Sequence, residues 1–243
     1  MSPAMSLLTS LRRRRLEPEA MDDPLLDPST HTEALQGLRR INAVSGSAGL
    51  LWPALWSLAR RRKGPPLSVL DIATGAGDLP LRLWKKAKRH NLPLTFSGCD
   101  ISPTALEYAG RQAQRAKAEI RFFRLNPLVD PIPPGHDVIT CSLFLHHLAD
   151  DQTVHLLRAM AKAAGTMVLV NDLRRHPAGL MMACTVPCFL SRSAVVHADA
   201  RRSVRAAYTL QELRALSRQA GLADASLTPC WPYRMLLIWR QPG

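Results

Sequence analysis

The stretch Val69-Leu70-Asp71-Ile72-Ala73-Thr74-Gly75-Ala76-Gly77-Asp78-Leu79-Pro80 decides the fold. Leu67, Val69, Leu70 and Ile72 form a short apolar run after Gly64-Pro65-Pro66, the composition of a strand covered on both faces. Gly75 and Gly77 then allow a sharp turn and a close approach of the backbone to a ligand, because neither carries a Cβ. Pro80 suits the first turn of a helix, where its missing N–H is not needed. Leu79, Leu83, Trp84 and Ala87 follow at helical spacing, with Arg82, Lys85, Lys86, Lys88 and Arg89 on the other face.

Strand, glycine turn and helix together make half of a nucleotide-type site. The other half is an acidic residue ending the next strand, roughly 20 residues on. Leu94-Thr95-Phe96-Ser97-Gly98-Cys99-Asp100 reads as that strand, and Asp100 ends it. A carboxylate there accepts hydrogen bonds from the vicinal hydroxyls of a ribose. Ser102-Pro103 caps and opens a further helix. A dinucleotide fingerprint has a third glycine, which leaves a bare helix N-terminus for pyrophosphate. Here Pro80 holds that place, and Asp78 puts a negative charge where pyrophosphate would sit. Asp71 adds another carboxylate. Two acids around the turn and a third for the ribose suit S-adenosylmethionine, which carries an ammonium and a sulfonium and no phosphate.

The segment Asp71 to Asp78 resembles motif I of the class I S-adenosylmethionine-dependent methyltransferases, and Asp100 resembles their ribose-binding acid. Leu125-Asn126-Pro127 is similar to the adenine loop after the third strand of that family, and Cys141-Ser-Leu-Phe-Leu-His-His-Leu148 to the fourth-strand segment of its small-molecule members. Ala73 stands where many members have glycine, and Asn126 where many have aspartate. The resemblance covers Leu67 to Asp172 firmly and the remainder loosely. It implies a cofactor set of Asp71, Ala73, Gly75, Gly77, Asp78, Asp100, Ile101, Asn126, Pro127, Ser142 and Leu143. It also implies a doubly wound, mostly parallel α/β sheet of seven strands, Rossmann-like, with N-terminal helices and a helical lid.

At 243 residues with 47% hydrophobic residues, the chain has enough material for one enzyme-sized core. No run is long enough to span a bilayer. Arg12 to Arg15 are followed by acids and not by an apolar stretch, so a secretory signal is not expected. The cysteines, Cys99, Cys141, Cys184, Cys188 and Cys230, are five and contain no Cys-x-x-Cys pair, which reads as reduced thiols in a cytoplasmic protein. Cys184 and Cys188 fit one helix face, but no third ligand completes a set, and no metal is expected. The formal charge is +13, yet the basic residues are spread along the chain and lie on outer helix faces. A nucleic-acid footprint should be clustered and interleaved with aromatics. Peripheral membrane contact and the oligomeric state stay open.

Residues 1–28 read as an extended, partly disordered lead-in, residues 29–64 as a helical cap, and residues 65–243 as the catalytic domain with a lid insertion at 174–208. Thr30-His-Thr-Glu33 is a capping box, with Leu35, Leu38 and Ile41 on one helix face. A second helix runs from Ser47 to Arg61. These helices either fold over the cofactor, as the resemblance implies, or pack as an outer layer. Strands follow at Ile120–Phe123, Asp137–Cys141 and Thr166–Val170, with a helix capped by Asp150 between the last two. Thr209-Leu-Gln-Glu212 is a second capping box, and two strands near Ala225–Thr228 and Met235–Arg240 form a closing hairpin with an antiparallel edge.

Methyl transfer from a sulfonium is an in-line displacement in which the protein positions the nucleophile and excludes water. A phenol or enol acceptor also needs a base. His146 and His147 follow the fourth strand at the carboxyl edge, where ligands bind in open α/β sheets. His197 joins them from the lid as a candidate base, with Arg202 and Arg205 for an anionic acceptor and Asp172 at the end of the fifth strand facing the same site. The reading is S-adenosylmethionine-dependent methylation, by preference at oxygen, of a small phenolic or polyketide-like acceptor in secondary metabolism. C-methylation of a quinone precursor is the alternative, and an RNA-binding or RNA-methylating protein the alternative of another class. In the favoured reading, RNA binding is weak and vanishes near physiological salt. A saturable nanomolar complex at that salt in a filter-binding assay would overturn the small-molecule reading.

Overall fold

The structure is a computed structural model, and it describes residues 11–20, 27, 30, 33–34, 36–37, 46–191 and 193–242. In chain order the elements are α1 (Ser47–Arg61), β1 (Leu67–Ile72), α2 (Asp78–Arg89), β2 (Leu94–Asp100), α3 (Pro103–Arg115), β3 (Ile120–Arg124) and β4 (His136–Ser142). A 3-10 turn (Leu145–His147), α4 (Asp150–Ala163), β5 (Ala164–Leu173), α5 (Pro177–Leu190), α6 (Ala194–Ala206), α7 (Leu210–Gln219), β6 (Ser226–Cys230) and β7 (Arg234–Arg240) complete it.

The strands form one seven-stranded sheet in the order β3-β2-β1-β4-β5-β7-β6. β1 to β5 are parallel, and β7 runs antiparallel between β5 and β6. The antiparallel strand is therefore inserted one place in from the edge. Successive β1 side chains point to opposite faces. Val69 joins Leu51 and Leu55 of α1 and Leu79 and Leu83 of α2 on one face, whereas Leu70 and Ile72 meet Leu156, Leu157 and Met160 of α4 on the other. Helices on both faces explain why β1 carries apolar residues toward both of them. The chain crosses over between β1 and β4, and ligands of such sheets bind outside the carboxyl ends at that switch point. No helix among the described residues is long and apolar enough to cross a membrane.

Two local expectations need correction, and a third falls outside the described residues. The cap at the first helix is Asp27, not Thr30: Asp27 Oδ2 accepts from the Thr30 amide at 3.0 Å. Leu35, Leu38 and Ile41 lie outside the described residues. Asp150 is the first residue of α4 and not its cap. There the Gln152 side chain accepts from the Ala149 amide at 2.9 Å, which frees Asp150 to pair with Arg14 at 3.2 Å and Tyr208 at 3.0 Å.

The largest departure is the lead-in. Residues 11–20 are extended but packed. The Arg14 guanidinium donates to the carbonyls of Leu145, His146 and Leu148 at 3.3, 3.0 and 2.6 Å and lies 3.8 Å over the Tyr208 ring. The Arg15 amide donates to the Arg205 carbonyl, and buried Arg175 donates to the Leu11 carbonyl. A 3-10 turn leaves carbonyls without partners, and a guanidinium with five donors satisfies several at once. Segment 11–20 is thus a strap tied to both the turn after β4 and the lid.

At the end of β1, buried Asp71 accepts from Thr140 Oγ1 at 2.7 Å and from Thr74 Oγ1 at 2.8 Å. Burial pushes its carboxyl up to about 7, although both hydroxyls pull the other way. The unfolded value is about 3.9. Across that window the folded chain keeps a proton that the unfolded chain has lost, so stability from this group falls as pH rises and levels off above 7. Asp71→Asn imitates the protonated form. Its stability relative to the native chain should improve from pH 5 to pH 8 by about 2–4 kcal/mol in urea denaturation. A pH-independent difference would mean that Asp71 is already ionised at pH 5.

Candidate active site

The glycine turn is built from strain and close contact. The Thr74 amide donates to the Cys99 carbonyl at 2.9 Å, which ties the turn to the end of β2. Ala73, Gly75 and Gly77 all have positive φ, at 52°, 53° and 71°. That region disfavours residues with a Cβ, which explains why glycine is common at the place of Ala73. A Cβ on Gly77 would lie 2.8 Å from Ala109 Cβ and 2.9 Å from Phe122 Cζ, so this glycine serves helix–sheet packing. A Cβ on Gly75 would meet nothing within 4 Å. Gly75 therefore borders open space at the switch point, room in which a ligand fits.

Asp100 is oriented by backbone on both sides: Oδ2 accepts from the Gly75 amide at 2.8 Å and Oδ1 from the Ser102 amide at 2.9 Å. Ser102 caps α3 by accepting from the Ala105 amide, as its sequence predicts. Beside Asp100 the side chain of Ile101 is 53% exposed, an apolar surface at the carboxyl edge that a nucleoside would cover. The Leu125 amide docks the next loop on the Asp100 carbonyl. Within that loop Asn126 Oδ1 accepts from the Leu128 amide at 3.1 Å and Pro127 is buried. The oxygen of Asn126 thus closes its own turn, which leaves the Nδ2 end as the donor toward a base. Asp71 lies beneath the glycine turn with both oxygens accepting from threonines, so it shapes the turn from below, while Asp78 begins α2 half-buried.

After β4, Ser142 accepts from Asn171 Nδ2 at 3.4 Å, and the Leu143 amide donates to the Asn171 carbonyl at 2.8 Å with φ 57°. The strained step at Leu143 turns the chain into the 3-10 helix that carries both histidines. His146 is 3% exposed. Its Nδ1 lies 2.7 Å from Asp172 Oδ1, and its amide donates to Asp172 Oδ2 at 3.3 Å. The His147 ring stacks beside it with centroids 4.3 Å apart and faces Phe144 on its other side. Burial pushes the Asp172 carboxyl up, but the charge and hydrogen bond of His146, with the Leu173 amide, more than reverse this and hold it below the ordinary carboxylate range. Asp172 stays ionised and fixes the ring. In neutral His146 the proton sits on Nδ1 and the Nε2 lone pair points away from Asp172.

Glu19, on the strap, closes the cluster: its carboxylate lies 3.8 Å from His146 Nε2 and 3.9 Å from His147 Nε2, and Ser203 Oγ of α6 donates to it. Sequence reasoning missed Glu19, Arg14 and Ser203. Glu19 sits in a segment without apolar period, and nothing local marks it.

The lid residues divide. α6 packs on the 3-10 turn that follows β4. His197, however, spends its Nε2 on the Ser191 carbonyl at 2.8 Å and the Pro187 carbonyl at 3.2 Å, where it holds the α5–α6 junction. Arg202 pairs with Asp199 at 3.1 Å and Glu17 at 4.0 Å, a helix-to-strap contact. The structure does not bring these two to the cluster, because each finds nearer partners on its own helix ends and on the strap. Asp172 is buried, and its oxygens accept from His146 and the Leu173 amide. Arg205 keeps a buried Nε without a hydrogen-bond partner among the described residues.

Residues 69–165 match the family described as methyltransferase domain. The chain is 33% identical over 107 residues to demethylmenaquinone methyltransferase of Thermus thermophilus, a match that covers 43% of this chain and 47% of that protein. It thus spans about half the length of that curated relative. Among solved structures it is similar to the S-adenosylmethionine-dependent methyltransferase SibL, with 21% identity, TM-score 0.65 and coverage of 100% of this chain and 70% of that one. It is also similar to magnesium protoporphyrin IX methyltransferase from Synechocystis with bound S-adenosylhomocysteine, with 15% identity, TM-score 0.57 and coverage of 89% and 100%. These likenesses carry the fold.

Asp100→Ala removes the charge-assisted acceptors that a ribose needs and should weaken S-adenosylmethionine binding by about 2–4 kcal/mol in calorimetry. Gly75→Val fills the open side of the turn at positive φ and should abolish binding. Native affinity in both variants, or tighter binding of a nicotinamide cofactor, would remove the basis for this assignment.

Proposed function

We propose that the chain methylates the hydroxyl of a small phenolic or polyketide-like acceptor: residues 69–165 match the methyltransferase-domain family, and the seven-stranded sheet has the fold of S-adenosylmethionine-dependent methyltransferases. The open side of Gly75, the doubly held Asp100 and the exposed Ile101 fit S-adenosylmethionine, whose sulfonium supplies the activated methyl carbon when bound.

The observation that carries the reading is the buried His146–Asp172 pair at 2.7 Å. Asp172 accepts from Nδ1, so Nε2 is the atom that takes the proton of the acceptor hydroxyl. The imidazolium that results lies between two carboxylates, Asp172 and Glu19, which lower the cost of its charge. Phe144, stacked on His147, gives the turn an aromatic flank that suits an aromatic acceptor. The buried, unpartnered Nε of Arg205 suits an anionic oxygen on that acceptor. The strap is tied to α6 by the Ser203–Glu19 hydrogen bond and to the turn by Arg14, contacts that favour a site screened from water. Free cysteines fit a reducing, cytoplasmic setting.

The similarity to a demethylmenaquinone methyltransferase favours a second reading, in which His146 takes the proton of a hydroquinone hydroxyl and the methyl group goes to a ring carbon. Both readings use the same base, so the product separates them. With a panel of phenols and quinols as acceptors, carbon NMR of the product should show a methoxy signal, whereas a ring-bound methyl would select the second reading. His146→Ala should lower turnover by about 10²–10⁴-fold with cofactor affinity little changed. Asp172→Asn should lower it as well, because the amide permits the other tautomer. A loss under about tenfold for His146→Ala would take the base away from His146.

A further inference from the structure

The gap between His146, His147 and Glu19 poses its own chemical problem. One ligating atom from each residue lies within 4.8 Å of the others. The separations of 3.8 and 3.9 Å from Nε2 to carboxylate are too long for hydrogen bonds. Asp172 keeps the proton on Nδ1 of neutral His146, so its Nε2 lone pair faces a carboxylate. Two acceptors opposed in a nearly dry site repel each other unless something positive lies between them. A proton on His146 is one answer, and a cation is the other.

The surroundings have the form of a metal centre. Histidine ligands characteristically give their second nitrogen to a carboxylate, and His146 gives its own to Asp172. Glu19 is braced from behind by Ser203 Oγ, and the backbone of the turn is clamped by Arg14. Bonds of about 2.0–2.1 Å in a tetrahedral site put neighbouring ligands about 3.3 Å apart; the two carboxylate–imidazole separations of 3.8 and 3.9 Å exceed that by about half an ångström, and the three ligand atoms all lie within 4.8 Å of one another. Imidazole donors with a single carboxylate favour zinc-type ions over magnesium or calcium, and three protein ligands leave a position open.

We propose that Glu19, His146 and His147 form a binding site for a divalent transition cation of the zinc type, with one coordination position open toward solvent or acceptor. The inference shares residues with the methyl-transfer reading but does not rest on it. Nε2 of His146 cannot hold a cation and a proton at once. In the cation-free form it takes the acceptor's proton. In the loaded form a bound cation would hold Glu19, His146 and His147 and would supply Lewis acidity at that place.

The test uses the full chain after chelator treatment, with Cys184→Ser and Cys188→Ser in every sample because those exposed thiols also bind zinc. Calorimetry with Zn²⁺ and the visible spectrum with Co²⁺ should show one equivalent bound, with no thiolate charge-transfer band. Glu19→Gln and His147→Ala should each weaken binding by about tenfold or more, and Asp172→Asn by about 10–100-fold through the orientation of His146. Unchanged S-adenosylmethionine affinity in Glu19→Gln shows that the fold is intact. Absence of stoichiometric binding, or binding that all three variants leave unaltered, overturns the site. Neither readout is turnover, so a failure here leaves the methyl-transfer reading standing, and a failure of that reading leaves the cation site standing.

Discussion

A carboxylate sealed beneath the glycine turn sets the geometry of everything above it. Asp71 ends β1 and accepts from Thr74 in the turn and Thr140 on β4, so one buried group couples the turn to two adjacent strands at the switch point. The cost is burial of an acid, and it shows in a carboxyl pushed up to about 7. With Thr74 held from below and tied to the Cys99 carbonyl, the next residue offers its amide to Asp100. The ribose acid is therefore oriented by a relay that starts in the core. Its own strand supplies only half of its geometry.

The other side of the edge uses a second buried acid in a different way. Asp172 ends β5, stays ionised beside His146, and fixes which nitrogen of that ring holds the proton. Because β4 and β5 are adjacent and in register at Ser142 and Asn171, the residues just beyond them meet without a long excursion. The strap then adds Glu19 from the far end of the chain, and α6 adds Ser203. Four segments distant in sequence thus converge on one pair of imidazoles.

Part of the strong positive charge is absorbed inside the fold. Arg14, Arg175 and Arg234 are largely buried, where they satisfy carbonyls of the turn and strap, Glu212 and the Ser47 hydroxyl. Burial pulls the Arg234 guanidinium down to about 10, with the nearby Asp172 charge opposing this. Other cations lie over tryptophan rings on outer helix faces, as Arg60 does over Trp56 and Lys88 over Trp84. A basic composition of this kind serves loop closure and helix surfaces as much as any anionic partner.

The sequence by itself determined the sheet and the cofactor edge. The apolar run of β1, the bounds of β2 and α1, the caps at Ser102 and Thr209 and the pairing of glycine turn with Asp100 all rest on interactions a few residues long or on strict periodicity, and such signals are written locally. The acceptor side was legible only as far as His146 and His147. Which lid residues are spent on structural partners was not, because His197 and Arg202 are as suitable in type as Arg205 and differ only in the partners that packing brings near. The strap was illegible for the same reason: Arg14 and Glu19 have no periodic neighbours, and their partners lie more than 120 residues away in the chain. Only tertiary structure chooses among chemically equivalent charges, since a charge in water has no preferred partner until folding removes the water from all but one.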